Sequence, residues 1–289
     1  MYAICCIGHL TSDKIVTTRT TMHMAGGTAF YFSHAISKLP VKYLLVTALA
    51  AAEMHYVEEL RAAGIEVKVQ PSAHTVYFEN IYAEDQDQRS QNVLAKADPF
   101  NPEQFEQVDA KIFHLGPLLA DDIPISLIQT LAAKGRVSMD IQGYLREVRG
   151  QKVYAVGWRD KQEALQNVDI LKADVAELKA LTGCTDVKEG AELLAEWGVK
   201  EAVITDGSKG SMIYSDGMFS TIPAYPPKNI ADATGCGDTY MAGYLYKRIN
   251  GADIQRSGEF AAAMASLKME TPGAFMGTEE DVKVFLAGK

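Results

Sequence analysis

The chain has 289 residues, 47% of them apolar, and a formal charge of −9 from 28 basic and 37 acidic side chains. That size and apolar content suit a large buried core and exclude disordered and fibrous classes. The acidic balance argues against nucleic acid or acidic lipid as a partner, since both need a basic surface, and favours a small molecule.

The opening MYAICCIGHL has no basic n-region, and its apolar run is too short for a signal peptide. No later run approaches the roughly 18 apolar residues of a membrane span. The cysteines Cys5, Cys6, Cys184 and Cys236 form neither a CxxC pair nor a metal-ligand spacing, which suits a reducing compartment. A soluble, cytoplasmic protein is expected. Cys5 and Cys6 are adjacent in a strand pattern and read as packing residues on opposite faces.

In chain order, AICCIG, YLLVTAL, IEVKV, KIFHLG, RVSMDI, DILKAD and EAVITD read as strands. Between them AFYFSHAISKL, MHYVEELRAAG and ISLIQTLAAKG read as helices, the last two each closed by a glycine cap. The alternation predicts an α/β fold with a largely parallel sheet. Residues 10–24 and 74–96 break it: both are rich in Thr, Val and Tyr, and the second has a polar turn, EDQDQ, between its halves. They are expected to leave the main sheet as antiparallel strands, either as a small flap or as an edge extension without a binding role. After Pro227 the chain turns helical at 235–250, 254–270 and 278–287. No repeat or linker divides it, so residues 1–289 are expected to form one domain with lid strands within 10–24 and 74–96.

The stretch ADATGCGDTYMAGYLYKR (231–248) carries the chemistry. Glycines at 235 and 237 let the backbone curl so that several amides converge, and the start of the following helix adds positive potential. Such a turn suits a phosphate. It is not a Walker A loop, because no G-x-x-x-x-G-K-[ST] occurs, and not a dinucleotide fingerprint, because Tyr240 stands where the third glycine belongs. Asp238, one step beyond, is placed to take a proton from an attacking hydroxyl while the amides of Gly235, Cys236 and Gly237 hold phosphoryl oxygens. Alternatively, it is an ordinary first-turn acid stabilised by the helix dipole.

Several separated motifs together resemble the ribokinase-like (PfkB) carbohydrate kinases over nearly the whole length. Asp232-Ala-Thr-Gly-Cys-Gly-Asp238 matches their D-[TA]-T-G-A-G-D, with Cys236 in place of the usual alanine. Ala25-Gly26-Gly27 matches their early glycine pair, and Thr205-Asp-Gly207-Ser-Lys-Gly210 their T-x-G-x-x-G. The resemblance implies a three-layer αβα sandwich with a mostly parallel sheet and a small β-strand lid. It also implies Asp238 as base and the 235–237 backbone as anion hole.

The same resemblance implies that Thr205, Gly207, Gly210 and Asp174 line ATP, together with the Gly235 and Gly237 backbone. Glu177 would order Mg2+ through water, and Asp232 and Thr234 would hold a monovalent cation such as K+. Asp174 stands where the family has Asn, so its charge either binds the cation directly or repels ATP. On the acceptor side Asp13, Gly26 and Gly27 match the positions that hydrogen-bond sugar hydroxyls, whereas Phe30 and Tyr31 stand where many sugar kinases carry Asn, so that Tyr31 is expected to face the substrate in a pocket unlike that of ribokinase. VSMDIQGYLR (137–146), with Asp140, Gln142 and Arg146, resembles the D-[VI]-Q motif of the inositol-kinase-like branch.

The implied activity is ATP-dependent phosphorylation of a sugar or cyclitol, with myo-inositol the best single substrate. Alternatives are another sugar or nucleoside kinase of the family, or a ligand-sensing homologue that has lost turnover. A homodimer through the lid is also implied. Cys236, at a helix N-terminus, is expected to have a lowered pKa, and the six scattered histidines give no zinc pattern.

Overall fold

The computed structural model describes residues 1–17, 20–82 and 89–289. Its strands and helices run β1 Tyr2–Ile7, β2 Thr11–Val16, β3 Thr21–Gly26, α1 Thr28–Ser37, β4 Tyr43–Leu49, α2 Met54–Ala62, β5 Glu66–Pro71, β6 Val76–Tyr82 and β7 Arg89–Ala95. There follow β8 Ala110–Leu115, α3 Ile125–Ala132, β9 Arg136–Asp140, β10 Arg146–Arg149, β11 Lys152–Ala155, α4 Lys161–Leu165, β12 Ile170–Asp174, α5 Val175–Thr182, α6 Val187–Glu196 and β13 Glu201–Thr205. The rest comprises β14 Ser211–Ser215, β15 Met218–Ile222, α7 Cys236–Ile249, α8 Ile254–Met269 and α9 Glu279–Ala287.

The main sheet has nine strands in the order β15-β14-β13-β12-β9-β8-β1-β4-β5. From β13 to β5 all neighbours are parallel, and β14 and β15 continue one edge antiparallel. Strands buried on both faces need near-continuous apolar sequence, and β4 (YLLVTAL) is buried at every position. Cys5 and Ile7 of β1 pack with α3, α5 and α6, whereas Ile4 and Cys6 pack with α1, α2, α7 and α8. That alternation makes the three αβα layers.

A second sheet of six strands, β10-β11-β7-β6-β2-β3, stands beside the main one. Val76, Phe78 and Val93 from its strands pack with Leu118 and Leu119 in a small core of their own. The strands expected at 10–24 and 74–96 are therefore present, with two corrections. β2 and β6 pair parallel, Asp13 beside Phe78, because the whole of β4, α2 and β5 intervenes between them and returns the chain in the same direction. The hairpin β10–β11 extends the sheet beyond the expected segments; its signal, Arg149-Gly150-Gln151 between alternating residues, lies in the sequence, and Gly150 has φ 64. The turn expected at EDQDQ lies outside the described residues.

The helix ends also differ from expectation at one place. Gly64 follows α2 in the left-handed conformation (φ 84), as a cap does, but Gly135 after α3 is not left-handed. It is glycine because a Cβ there would run into the Ala110 carbonyl.

Candidate active site

The turn before α7 is held from behind by the end of α8. The amides of Ala231 and Asp232 both donate to the Met269 carbonyl, at 2.8 and 3.3 Å. Asp232 then organises the loop: one carboxylate oxygen accepts the Thr234 amide at 2.8 Å, and the other accepts the Gly273 amide at 3.1 Å. Gly235 caps α7 with φ 77 and ψ 9, and a Cβ there would run into the Tyr31 ring, so glycine is required on both counts. Of the three amides expected to face phosphate, that of Cys236 turns to the Ala233 carbonyl at 3.3 Å. Those of Gly235 and Gly237 make no backbone bond among the described residues, and the positive end of the fourteen-residue α7 reinforces them.

Asp238 sits half-buried in the first turn of α7. Burial first, and then the neighbouring charge of Asp140, raise its pKa to about 6 against the opposing Lys172 ammonium and a hydrogen bond from Thr28. Lys172 comes from the middle of β12, with its side chain only 9% exposed, and its Nζ lies 3.0 Å from Asp140 and 3.8 Å from Glu177. Burial works to strip that ammonium of its proton, but Asp140, Glu177 and Asp238 outweigh it and hold its pKa above an ordinary lysine's. A Cβ on Gly237 would lie 3.3 Å from Lys172 Nζ, so the cation lies beside the 235–237 turn.

Glu177 and Asp174 form a capping box at the start of α5: the Glu177 amide donates to Asp174 Oδ1, and the Asp174 amide donates to Glu177 Oε2, each at 2.7 Å. Gln142 ties this corner to β9, its amide donating to Asp140 Oδ1 at 3.0 Å and its Nε2 to Glu177 Oε1 at 3.2 Å. Burial raises the Glu177 pKa despite Lys172.

These groups open into a cavity of about 1470 Å³ between the two sheets. Asp13, Gly27, Tyr31, Asp140, Gln142, Arg146, Asp232, Thr234, Gly235, Cys236, Gly237 and Asp238, all singled out from the sequence, line it. Gly26 lies just behind, where a Cβ would touch the Asp13 carboxylate. Thr205, Gly207, Gly210, Asp174 and Glu177 do not line it. Thr205 ends β13 and the two glycines shape the β13–β14 turn with φ 51 and 95, beyond the cavity wall.

Sequence reasoning missed Lys172, Thr28, Asn80 and Gln91. Lysine in the middle of the apolar run of a central strand was itself a signal, because such positions are normally apolar unless the charge is paired. Asn80 and Gln91 lie opposite each other on β6 and β7, with Gln91 Nε2 donating to Asn80 Oδ1 at 2.9 Å, and no local pattern marks them. The expectation for Cys236 is reversed: burial pushes its thiol up to about 11.

Among the described residues no group of three or more His, Cys, Asp or Glu side chains could hold a metal ion. Mg2+ usually arrives with substrate phosphates and keeps several waters; Asp140, on the cavity wall, fits that mode, whereas Glu177, expected to order its waters, lies behind the wall and is joined to Asp140 through Gln142 and Lys172. No helix among the described residues is long and apolar enough to cross a membrane.

A family model described as pfkB family carbohydrate kinase matches residues 2–280. A cytidine kinase of Thermococcus kodakarensis is 29% identical over 250 residues, covering 83% of this chain and 86% of its own. Among solved structures, a pyrophosphate-dependent kinase in the ribokinase family, complexed with a pyrophosphate analog and myo-inositol, superposes with a TM-score of 0.87. It is 28% identical and the match covers 97% of this chain and 99% of that one. A second structure concerns the conversion of a pyrophosphate-dependent myo-inositol-1 kinase into a myo-inositol-3 kinase by replacing an asparagine and a serine with leucine. It has a TM-score of 0.86 and 27% identity, with 99% of each chain covered.

Proposed function

The chain belongs to the pfkB family of carbohydrate kinases, and on that premise we propose that it phosphorylates a hydroxyl of a small polyol, with myo-inositol as the leading acceptor and Asp238 as the base. The observation that carries this is the placement of a carboxylate with a pKa raised to about 6 beside the anion-binding turn, in a cavity walled by Asp13, Asn80, Gln91, Gln142 and Arg146. A ring bearing hydroxyls all round suits many separated polar anchors.

The acceptor hydroxyl gives its proton to Asp238 as its oxygen bonds to phosphorus and the bond from phosphorus to the leaving oxygen breaks. The Gly235 and Gly237 amides and Lys172 balance charge spreading over the phosphoryl oxygens. Arg146 and the pair Asn80–Gln91 orient the ring, and the β2–β3 and β6–β7 strands shield it from water. Mg2+ bound with the donor would supply further charge neutralisation there.

ATP is the donor that the family resemblance implies. Pyrophosphate is a second reading, favoured by a specific observation: the cavity holds the buried Lys172 ammonium but does not extend to Thr205, Gly207 and Gly210, where a nucleotide would be lined. The two structural relatives described as pyrophosphate-dependent support it. The test is phosphate transfer measured across myo-inositol, other cyclitols, ribose and cytidine, with ATP and with pyrophosphate in parallel. Phosphorylated myo-inositol with either donor is the expected product. Binding without product in every arm would make the chain a sensor, and product from cytidine alone would make it a nucleoside kinase.

A further inference from the structure

The family resemblance places a monovalent cation at Asp232 and Thr234, behind the anion-binding turn. The groups available do not fit an added cation. Lys268, on the last turn of α8 and fully buried, sends its ammonium to the Asp232 main-chain carbonyl at 2.8 Å and the Asp232 carboxylate at 3.1 Å. The other carboxylate oxygen is taken by the Thr234 amide and the second also by the Gly273 amide. An ammonium is close to K+ in size and makes the same oxygen contacts, so the two compete for one place.

The surroundings of that ammonium are those of a cation site. The negative end of the sixteen-residue α8 lies at its back. The Tyr31 ring, which also packs on Gly235, lies 5.9 Å from Nζ, within reach of a cation–π contact.

We infer that Lys268 is a tethered replacement for the monovalent cation: it holds the 232–237 turn in its phosphate-binding shape and makes the protein independent of K+. Lys268 acts through the turn and is a positioning residue. A tethered ammonium cannot dissociate, so the turn keeps its shape at any ionic composition.

The test compares K+ with tetramethylammonium, for the wild type and for Lys268→Ala. One arm is thermal unfolding, which needs no substrate; the other is turnover, which rests on the kinase reading. The wild type is expected to unfold and turn over identically in the two salts. Lys268→Ala is expected to lose turnover, by no more than the roughly 10²- to 10³-fold that one direct anion-stabilising group is worth, and to recover stability and turnover selectively in K+ or ammonium. A merely structural lysine would give a loss that no monovalent ion repairs. Stabilisation or activation of the wild type by K+ would overturn the inference even if the variant does not fold. Absence of turnover in every arm, with the thermal pattern as expected, would sink the kinase reading and leave this one standing.

Discussion

Lys172 and Asp140 form a buried ion pair at 3.0 Å, and the same two side chains act with opposite sign on Asp238, Asp140 raising its pKa and Lys172 lowering it. The cluster therefore tunes the Asp238 carboxyl as well as lining the cavity.

The first prediction concerns pH. Asp238 works as a base only when ionised, so kcat/KM should rise with pH through about 6, the value to which burial and Asp140 bring it. Asp140→Asn removes a like charge and should move that acid limb to lower pH; Lys172→Met removes the opposing cation and should move it higher. Measured pH–rate profiles that shift in the same direction for both variants would show that neither residue sets the pKa.

The second separates chemistry from folding. Asp238→Asn should lower turnover by roughly 10²- to 10⁴-fold, the usual worth of a base, and yet raise the melting temperature at pH 7. The carboxyl goes from its ordinary 3.8 to about 6 on folding, so the folded state binds the proton more tightly and stability falls as pH rises through that window. At neutral pH the cost is at most about 3 kcal/mol, which the neutral amide avoids. The gain should therefore vanish below about pH 4, as melting curves across pH would show.

A third prediction addresses which hydroxyl reacts. Asn80 and Gln91 face each other across β6 and β7, joined by a 2.9 Å hydrogen bond, and both line the cavity. Replacing both with Leu removes the two cavity-lining amides and their mutual bond together, so neither is left as an unpaired partner. The expected outcome is a changed position of phosphorylation with turnover kept within roughly tenfold, because no anion-stabilising group is lost; phosphorus NMR of the product distinguishes the positions. An unchanged product would remove the pair from acceptor recognition.

Gly235→Ala is the fourth. The left-handed conformation costs about 1–2 kcal/mol for a residue with a Cβ, and the Tyr31 ring would have to move as well. Both stability and turnover should fall. Tyr31→Ala removes a buried ring and destabilises by itself, but in the same chain it opens room for the new methyl, so the two losses of stability should be less than additive while the poor turnover persists. Melting and kinetic measurements on the single and double variants check this.

Much of the protein was legible in the sequence because it is dictated locally. The strand β4 matches its apolar run YLLVTAL residue for residue, and the turn 232–238 could be read because glycines and a first-turn acid express a backbone shape directly. The glycine pair, Asp13, Asp140 and Arg146 were likewise marked by motif, and the structure brings them around one cavity.

The rest depended on residues far apart in the chain. Lys268 meets Asp232 across 36 residues, Asn80 meets Gln91 across strands, and Lys172 comes between Asp140 and Glu177 only once β9, β12 and α5 are assembled. Charge pairing in a low-dielectric interior is decided by position in space, so the sequence alone could name the 232–238 turn and its carboxylate. Which cation stands behind that turn, which one stands beside it, and how strongly the carboxylate holds its proton were decided by packing.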